Sequence, residues 1–173
     1  MFSLDAQERA RTKKALDGIA GAANVQCVGL QRSTLIGYEI SHPPPDVAVL
    51  VHFCEGRVLL TDQDGLYNDF MRDAVTKCNG QVVVVLTNVE GTPADALANP
   101  AIVSALADEA TGAQSSVQEL HAQHRLLTWQ RQPSEKQLQH LKDLVTGRAA
   151  PLELPQSLLD HCTPQRRRIC MLL

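Results

Sequence analysis

Aromatic side chains are nearly missing from this sequence: Phe2, Phe53, Phe70, Tyr38, Tyr67 and Trp129 make up 3% of it. That scarcity argues against modules that stack nucleobases on aromatic platforms. An excess of basic charge is missing too. The formal net charge of −3 creates no global field for a polyanion, so nucleic acid is not an expected partner. No apolar run approaches the roughly 18 residues a membrane-spanning helix needs; the longest, Val82 to Leu86, is strand-length. The N-terminus has no basic stretch followed by an apolar one, so a secretory signal is not expected. Asp5 and Glu8 argue against a transit peptide. No CxxC pair or Cys/His spacing marks a zinc site. The five cysteines (Cys27, Cys54, Cys78, Cys162, Cys170) are odd in number and scattered. They read as free thiols of a reducing cytoplasm, with Cys27, Cys54 and Cys78 as small core residues.

What is present is an aliphatic core for one domain, since 173 residues of 44% apolar content suffice for it. Ser3 before Leu4-Asp5-Ala6-Gln7-Glu8 reads as a helix N-cap, with the helix running to Leu16 and stopping near Gly18 or Gly21. Val25–Leu30 and Thr34–Ile40, separated by Gln31-Arg32-Ser33, have hairpin spacing. His42-Pro43-Pro44-Pro45 is a stiff connector. Strands are then expected at Val47–Phe53, Arg57–Thr61, Gln81–Leu86 and Arg125–Trp129. Helices are expected at Leu66–Lys77, from Asn99-Pro100 to Ala110, and from Pro133-Ser134-Glu135 to Gly147. The run Val82-Val83-Val84-Val85 is the pattern of a strand buried on both faces.

This alternation predicts an α/β fold: a three-layer Rossmann-like sandwich around a mostly parallel sheet. The N-terminal helix and β-hairpin would form its edge. The expected division is one α/β domain over 1–147 and a Pro-containing basic tail over 148–173, flexible but for a short helix at Gln156–Asp160.

The sequence ends Arg166-Arg167-Arg168-Ile169-Cys170-Met171-Leu172-Leu173. Cysteine fourth from the end, an aliphatic at Leu172 and a terminal Leu have the layout of a prenylation box of the geranylgeranyl type. One prenyl chain holds a membrane only marginally. Arg166, Arg167 and Arg168 would add roughly 1 kcal/mol each beside an anionic leaflet. The expected location is therefore cytoplasmic, with peripheral attachment through Cys170.

In the middle, Val58-Leu59-Leu60-Thr61-Asp62-Gln63-Asp64-Gly65 resembles the first motif of the haloacid dehalogenase-like phosphohydrolases, an apolar strand running into DxDG. Val82 to Leu86 running into Thr87-Asn88 resembles their second motif, and Arg131-Gln132-Pro133 a worn third one. The resemblance implies Asp62 as the phosphate-accepting nucleophile, Asp64 as general acid/base, Thr87 as a phosphate ligand and magnesium as cofactor. Departures accompany it. Leu66 replaces the expected Thr or Val, Arg131 or Gln132 stands for the Lys, and no acidic fourth motif follows Pro133.

The order of elements from residue 47 onward, ending in a basic tail and prenylation box, also resembles the second half of a small GTPase. Asn88 then stands at the Asn of the guanine-reading NKxD motif. Val89 replaces its Lys, and no Gly-x-x-x-x-Gly-Lys-Ser/Thr loop occurs, which rules out GTP hydrolysis by that mechanism. His121 and His124 beside Glu119 have a spacing that suits one helix face, but no third ligand joins them. The expectation is a non-catalytic scaffold or adaptor with protein partners and no cofactor. Its alternatives are a degenerate magnesium phosphatase using Asp62, Asp64 and Thr87, and a pseudo-GTPase-like subunit of a larger assembly.

Overall fold

The computed structural model describes residues 1–20, 25–55, 67–107, 115–151 and 153. Among the described residues, five parallel strands form one sheet in the order β2-β1-β3-β4-β5. They are β1 (Phe2–Ser3), β2 (Val28–Gly29), β3 (Ala48–Phe53), β4 (Val82–Thr87) and β5 (Leu126–Trp129). The helices among the described residues connect or follow them: α1 (Ala6–Ala20), α2 (Asn68–Lys77), α3 (Pro100–Ala107), α4 (Ser115–Ala122) and α5 (Glu135–Val145).

Period-two alternation divides the core in two. Leu50, Val82, Val84, Leu86 and Leu126 join Phe70, Met71 and Ala74 of α2, Leu106 of α3 and Leu120 of α4. Val49, Val51, Val83, Val85 and Leu127 join Leu16 of α1 and Leu141 and Leu144 of α5 on the opposite face. The all-valine run of β4 is wholly buried because both sheet faces are covered. The chain first moves from β1 outward to β2, then crosses back to the other side of β1 for β3 and continues to β5. Parallel crossovers keep one hand, so this reversal puts α1 and α2 on opposite faces. It also opens a switch point between the carboxyl ends of β1 and β3, the usual ligand position of such sheets.

The N-terminal region departs from the sequence-based expectation. No hairpin forms between Val25–Leu30 and Thr34–Ile40. Val28 and Gly29 instead pair in parallel with Phe2 and Ser3, and Arg32–Thr34 is a single 3-10 turn. The second half of the expected hairpin lies along α2, where side chains replace a partner strand. Asp69 accepts from the Gly37 amide at 2.6 Å and Asp73 from that of Ile40 at 2.6 Å, while Lys77 donates to the Ile40 carbonyl at 2.9 Å. Ser3 is likewise a strand residue rather than the cap of α1. Cys27 is exposed, whereas Cys54 and Cys78 are buried as expected. The expected strand Arg57–Thr61 and short helix Gln156–Asp160 lie outside the described residues, as does most of the tail. Among the described residues, no helix is long and apolar enough to cross a membrane.

Candidate functional site

A ligand of a sheet like this one would meet its carboxyl edge, so the side chains there decide the chemistry. At β1 the chain turns directly into α1. Asp5, immediately before the helix, accepts from the Glu8 amide at 2.8 Å, and its own amide donates to Ser3 Oγ at 3.1 Å. Glu8 lies 2% exposed in the first turn, ion-paired through one oxygen to Arg11 at 2.5 Å. One carboxylate thus caps the positive end of α1, and a second lies in its first turn. A phosphate at this position would face like charge.

At β4 the two residues singled out from the sequence are engaged by neighbouring backbone. Thr87 is fully buried, and its hydroxyl donates to the His52 carbonyl at 3.4 Å. Asn88 adopts a left-handed conformation at φ +63°, one that Asn tolerates better than most residues. From there its side-chain amide donates to the Cys54 carbonyl at 2.8 Å and its main-chain amide to the Gln130 carbonyl at 3.1 Å. Asp62 and Asp64 lie outside the described residues, so their relation to Thr87 is not part of this geometry. Cys170, Arg166, Arg167 and Arg168 also lie outside it.

Beyond β4, a network that sequence reading missed closes the edge. Thr128 Oγ1 meets Thr92 Oγ1 at 2.7 Å and accepts from the Asn99 amide at 2.8 Å. Asn99 caps α3 by accepting from the Ala101 amide and donates to the Glu90 carbonyl at 2.8 Å. Gln137 of α5, 2% exposed, donates to the carbonyls of Thr128 at 2.7 Å and Leu97 at 2.9 Å. Its oxygen accepts from the Ser134 amide at 2.9 Å, completing a reciprocal capping box. In the sequence, the Ser134-x-x-Gln137 spacing and the Asn99-Pro100 helix start signal its two helix caps, and nothing signals the ties between them. A cleft of about 270 Å³ opens above this network, lined by Gly91, Thr92, Trp129, Gln132 and Ser134 among others, none of them ionisable.

On the α2 side of β3, His52 Nδ1 lies 3.0 Å from the Tyr67 hydroxyl, and its buried Nε2 has no hydrogen-bond partner. Burial, aided by the Arg32 charge, lowers the His52 pKa from 6.5 to about 4. Burial also pushes the Cys54 thiol up to about 11, which makes it a poor nucleophile at neutral pH. Because the folded pKa of His52 is depressed, the unfolded chain binds the extra proton between about pH 6.5 and 4. The stability contribution is therefore complete above 6.5 and lost as pH falls through that window. With allowance for the partly exposed ring, the loss should be about 2 kcal/mol. Urea midpoints at pH 7 and 4.5 measure it, and His52→Gln should flatten the dependence across this window.

His121 and His124 do not assemble a metal centre: among the described residues no group of three ligating side chains comes together. His121 lies in the last turn of α4, and His124 turns left-handed at φ +57°, its carbonyl meeting His140 Nε2 at 2.7 Å. Compared with protein-family models, curated proteins and solved structures, the chain matches none. The site's own geometry is therefore the ground for a functional reading.

Proposed function

We propose that this protein is a non-catalytic binding or adaptor protein built on a Rossmann-like parallel sandwich. It acts at a cytoplasmic membrane face, tethered by a prenyl group on Cys170 with Arg166, Arg167 and Arg168 against the anionic leaflet. One observation carries the non-catalytic part. Among the described residues at the carboxyl edge, the side chains of Asp5, Thr87, Asn88, Asn99 and Gln137 are engaged by the protein's own backbone. Groups held this way are structural ties, and freeing them for a substrate would leave buried carbonyls or amides unpaired.

The tether requires Leu173 to be the last residue, so that Cys170 stands fourth from the end. Intact mass of the protein from its native cells tests it directly. A gain of one geranylgeranyl group with loss of Met171 to Leu173 is expected, and Cys170→Ser should abolish both the gain and membrane sedimentation. An unmodified terminus would overturn the tether. Magnesium-dependent phosphatase activity removed by Asp62→Asn would overturn the non-catalytic reading and favour the haloacid dehalogenase-like alternative.

A pseudo-GTPase-like subunit is the second reading, favoured by the position of Asn88 at the end of the central strand β4. There the Asn88 side-chain amide donates to the Cys54 carbonyl at 2.8 Å. Equilibrium dialysis with guanine nucleotides should show no binding under either the adaptor or the pseudo-GTPase reading.

A further inference from the structure

We propose that the outer face formed by α1 and α5 docks on an anionic bilayer, its lysines and arginines against the acidic lipid headgroups. The two helices pack side by side on one face of the sheet, with Leu16, Leu141 and Leu144 in their common core. α1 holds Arg9, Arg11, Lys13 and Lys14 against Glu8 and Asp17. α5 and the turn after it hold Lys136, Lys142 and Arg148 against Glu135 and Asp143. This side therefore carries a net +3 in a chain whose formal charge is −3. The helices of the opposite face, α2, α3 and α4, hold Arg72 and Lys77 against Asp69, Asp73 and Glu119, a net −1. The chain is thus electrically two-sided, and its positive side is the α1/α5 face.

The cations stand where a flat surface can reach them. Helical spacing turns Gln7, Ala10, Arg11, Lys14, Asp17 and Gly18 of α1 outward, and all six are exposed. Lys136 and Lys142 are exposed along α5 in the same way. Lys13 pairs with Asp17 at 2.5 Å and Arg148 with Asp143 at 3.7 Å; pairs this exposed hold their cations weakly. Lys14 and Lys142 stand outside them, and Lys136 donates to a neutral acceptor, the Asp95 carbonyl, at 2.6 Å. The outward stripe of α1 carries no large apolar side chain. Ile36, 87% exposed, precedes Gly37, which is held against α2 on the other side of the sheet. The face therefore lies on headgroups through charge and does not insert, so its binding is screened by salt. The choice of a bilayer over a soluble polyanion rests on the reading of Cys170 as a membrane tether, since the tether would bring this face to the same surface.

Sedimentation of the full, unlipidated chain with vesicles tests this apart from the tether, which intact mass reads separately. At low salt, vesicles of equal parts phosphatidylcholine and phosphatidylserine should bind at least about tenfold more protein than phosphatidylcholine alone, and salt at about 0.5 M should abolish the difference. Two double variants then lower the net charge equally. Lys14→Gln with Lys142→Gln removes two charges from the face and should weaken binding to the mixed vesicles at least about tenfold. Thr76→Glu with Ser104→Glu adds two negative charges at exposed positions of α2 and α3 and should weaken it less than about threefold. Both pairs lie on helix surfaces and keep the tail arginines, so their difference reports the face alone. The proposal is overturned if the wild type does not prefer the mixed vesicles, or if the two variants lose binding equally. It is also overturned if the lysine variant loses heparin binding but keeps vesicle binding, which would assign the face to a soluble polyanion.

Discussion

Replacing Phe70 with alanine is expected to lower the stability of the fold by about 4 kcal/mol, seen as a lower urea midpoint at unchanged slope. Phe70 is fully buried on α2. Its ring packs edge-on against Phe2 with centroids 5.0 Å apart and tilted against Tyr38 at 5.6 Å. It therefore joins three pieces that the sequence order keeps apart: β1, α2, and the 37–40 segment clamped along that helix. The remaining cavity should collapse poorly. Phe2 is held by the β1 pairing with Leu50 and Val28, and Tyr38 by the carboxylates of Asp69 and Asp73 on either side of it. For a domain of this size, the thermal midpoint should fall by roughly 8–16 °C. Phe70→Leu, which keeps most of the volume, should cost about 1–2 kcal/mol. A loss under about 1 kcal/mol for alanine would mean that this three-way packing does not exist.

Gln137→Ala should cost about 3 kcal/mol, although glutamine is ordinarily a surface residue whose replacement matters little. Here its amide ties the Thr128 and Leu97 carbonyls, and its oxygen caps α5 through Ser134. Truncation removes these bonds, takes from the Thr128 carbonyl its Gln137 donor, and leaves the Leu97 carbonyl with the Thr128 amide it also accepts from at 3.0 Å; a buried carbonyl left unpaired costs about 1 kcal/mol or more. Gln137→Glu distinguishes this account from simple loss of volume. The carboxylate keeps the capping oxygen but faces two carbonyls, so the variant should be at least as unstable as alanine at pH 7. It should recover as the pH is lowered far enough to protonate Glu. Equal stability of Gln137→Glu and wild type at pH 7 would contradict the hydrogen-bond assignment.

The two substitutions sit at different levels of legibility. The 3.6-residue spacing of Phe70 and Ala74 marks the buried face of α2 in the sequence alone. Nothing local says that Phe70 also covers β1, because that strand is only two residues long and its pairing partners, Val28 and Leu50, are distant in sequence. Ser134-x-x-Gln137 is visible as a capping signal. The role of Gln137 as a tie between α5 and the loop before α3 depends on atoms some forty residues away. The run of Val82 to Leu86 into Thr87-Asn88 reads as a strand end in the sequence; that these two side chains donate to the carbonyls of His52 and Cys54 does not. The expected hairpin failed for a related reason. Period-two patterning suggests extended backbone at Thr34–Ile40, but Thr34 ends a 3-10 turn and Gly37 turns left-handed at φ +70°, and Asp69 and Asp73, at helical spacing, take the Gly37 and Ile40 amides.

The sequence by itself determined the elements that are long and strongly patterned: the doubly buried β4, the flanking β3 and β5, and the helices α2, α3 and α5. Their periodicity is a local consequence of which face each must bury. The parallel α/β class followed from their alternation. Only the tertiary structure decided the strand order, the conversion of the hairpin into a parallel edge strand plus a clamped loop, and the burial of Arg125 under the Ala150 carbonyl. Each of these depends on hydrogen bonds between residues far apart in the chain, and a one-dimensional pattern does not specify which of several chemically adequate partners will arrive.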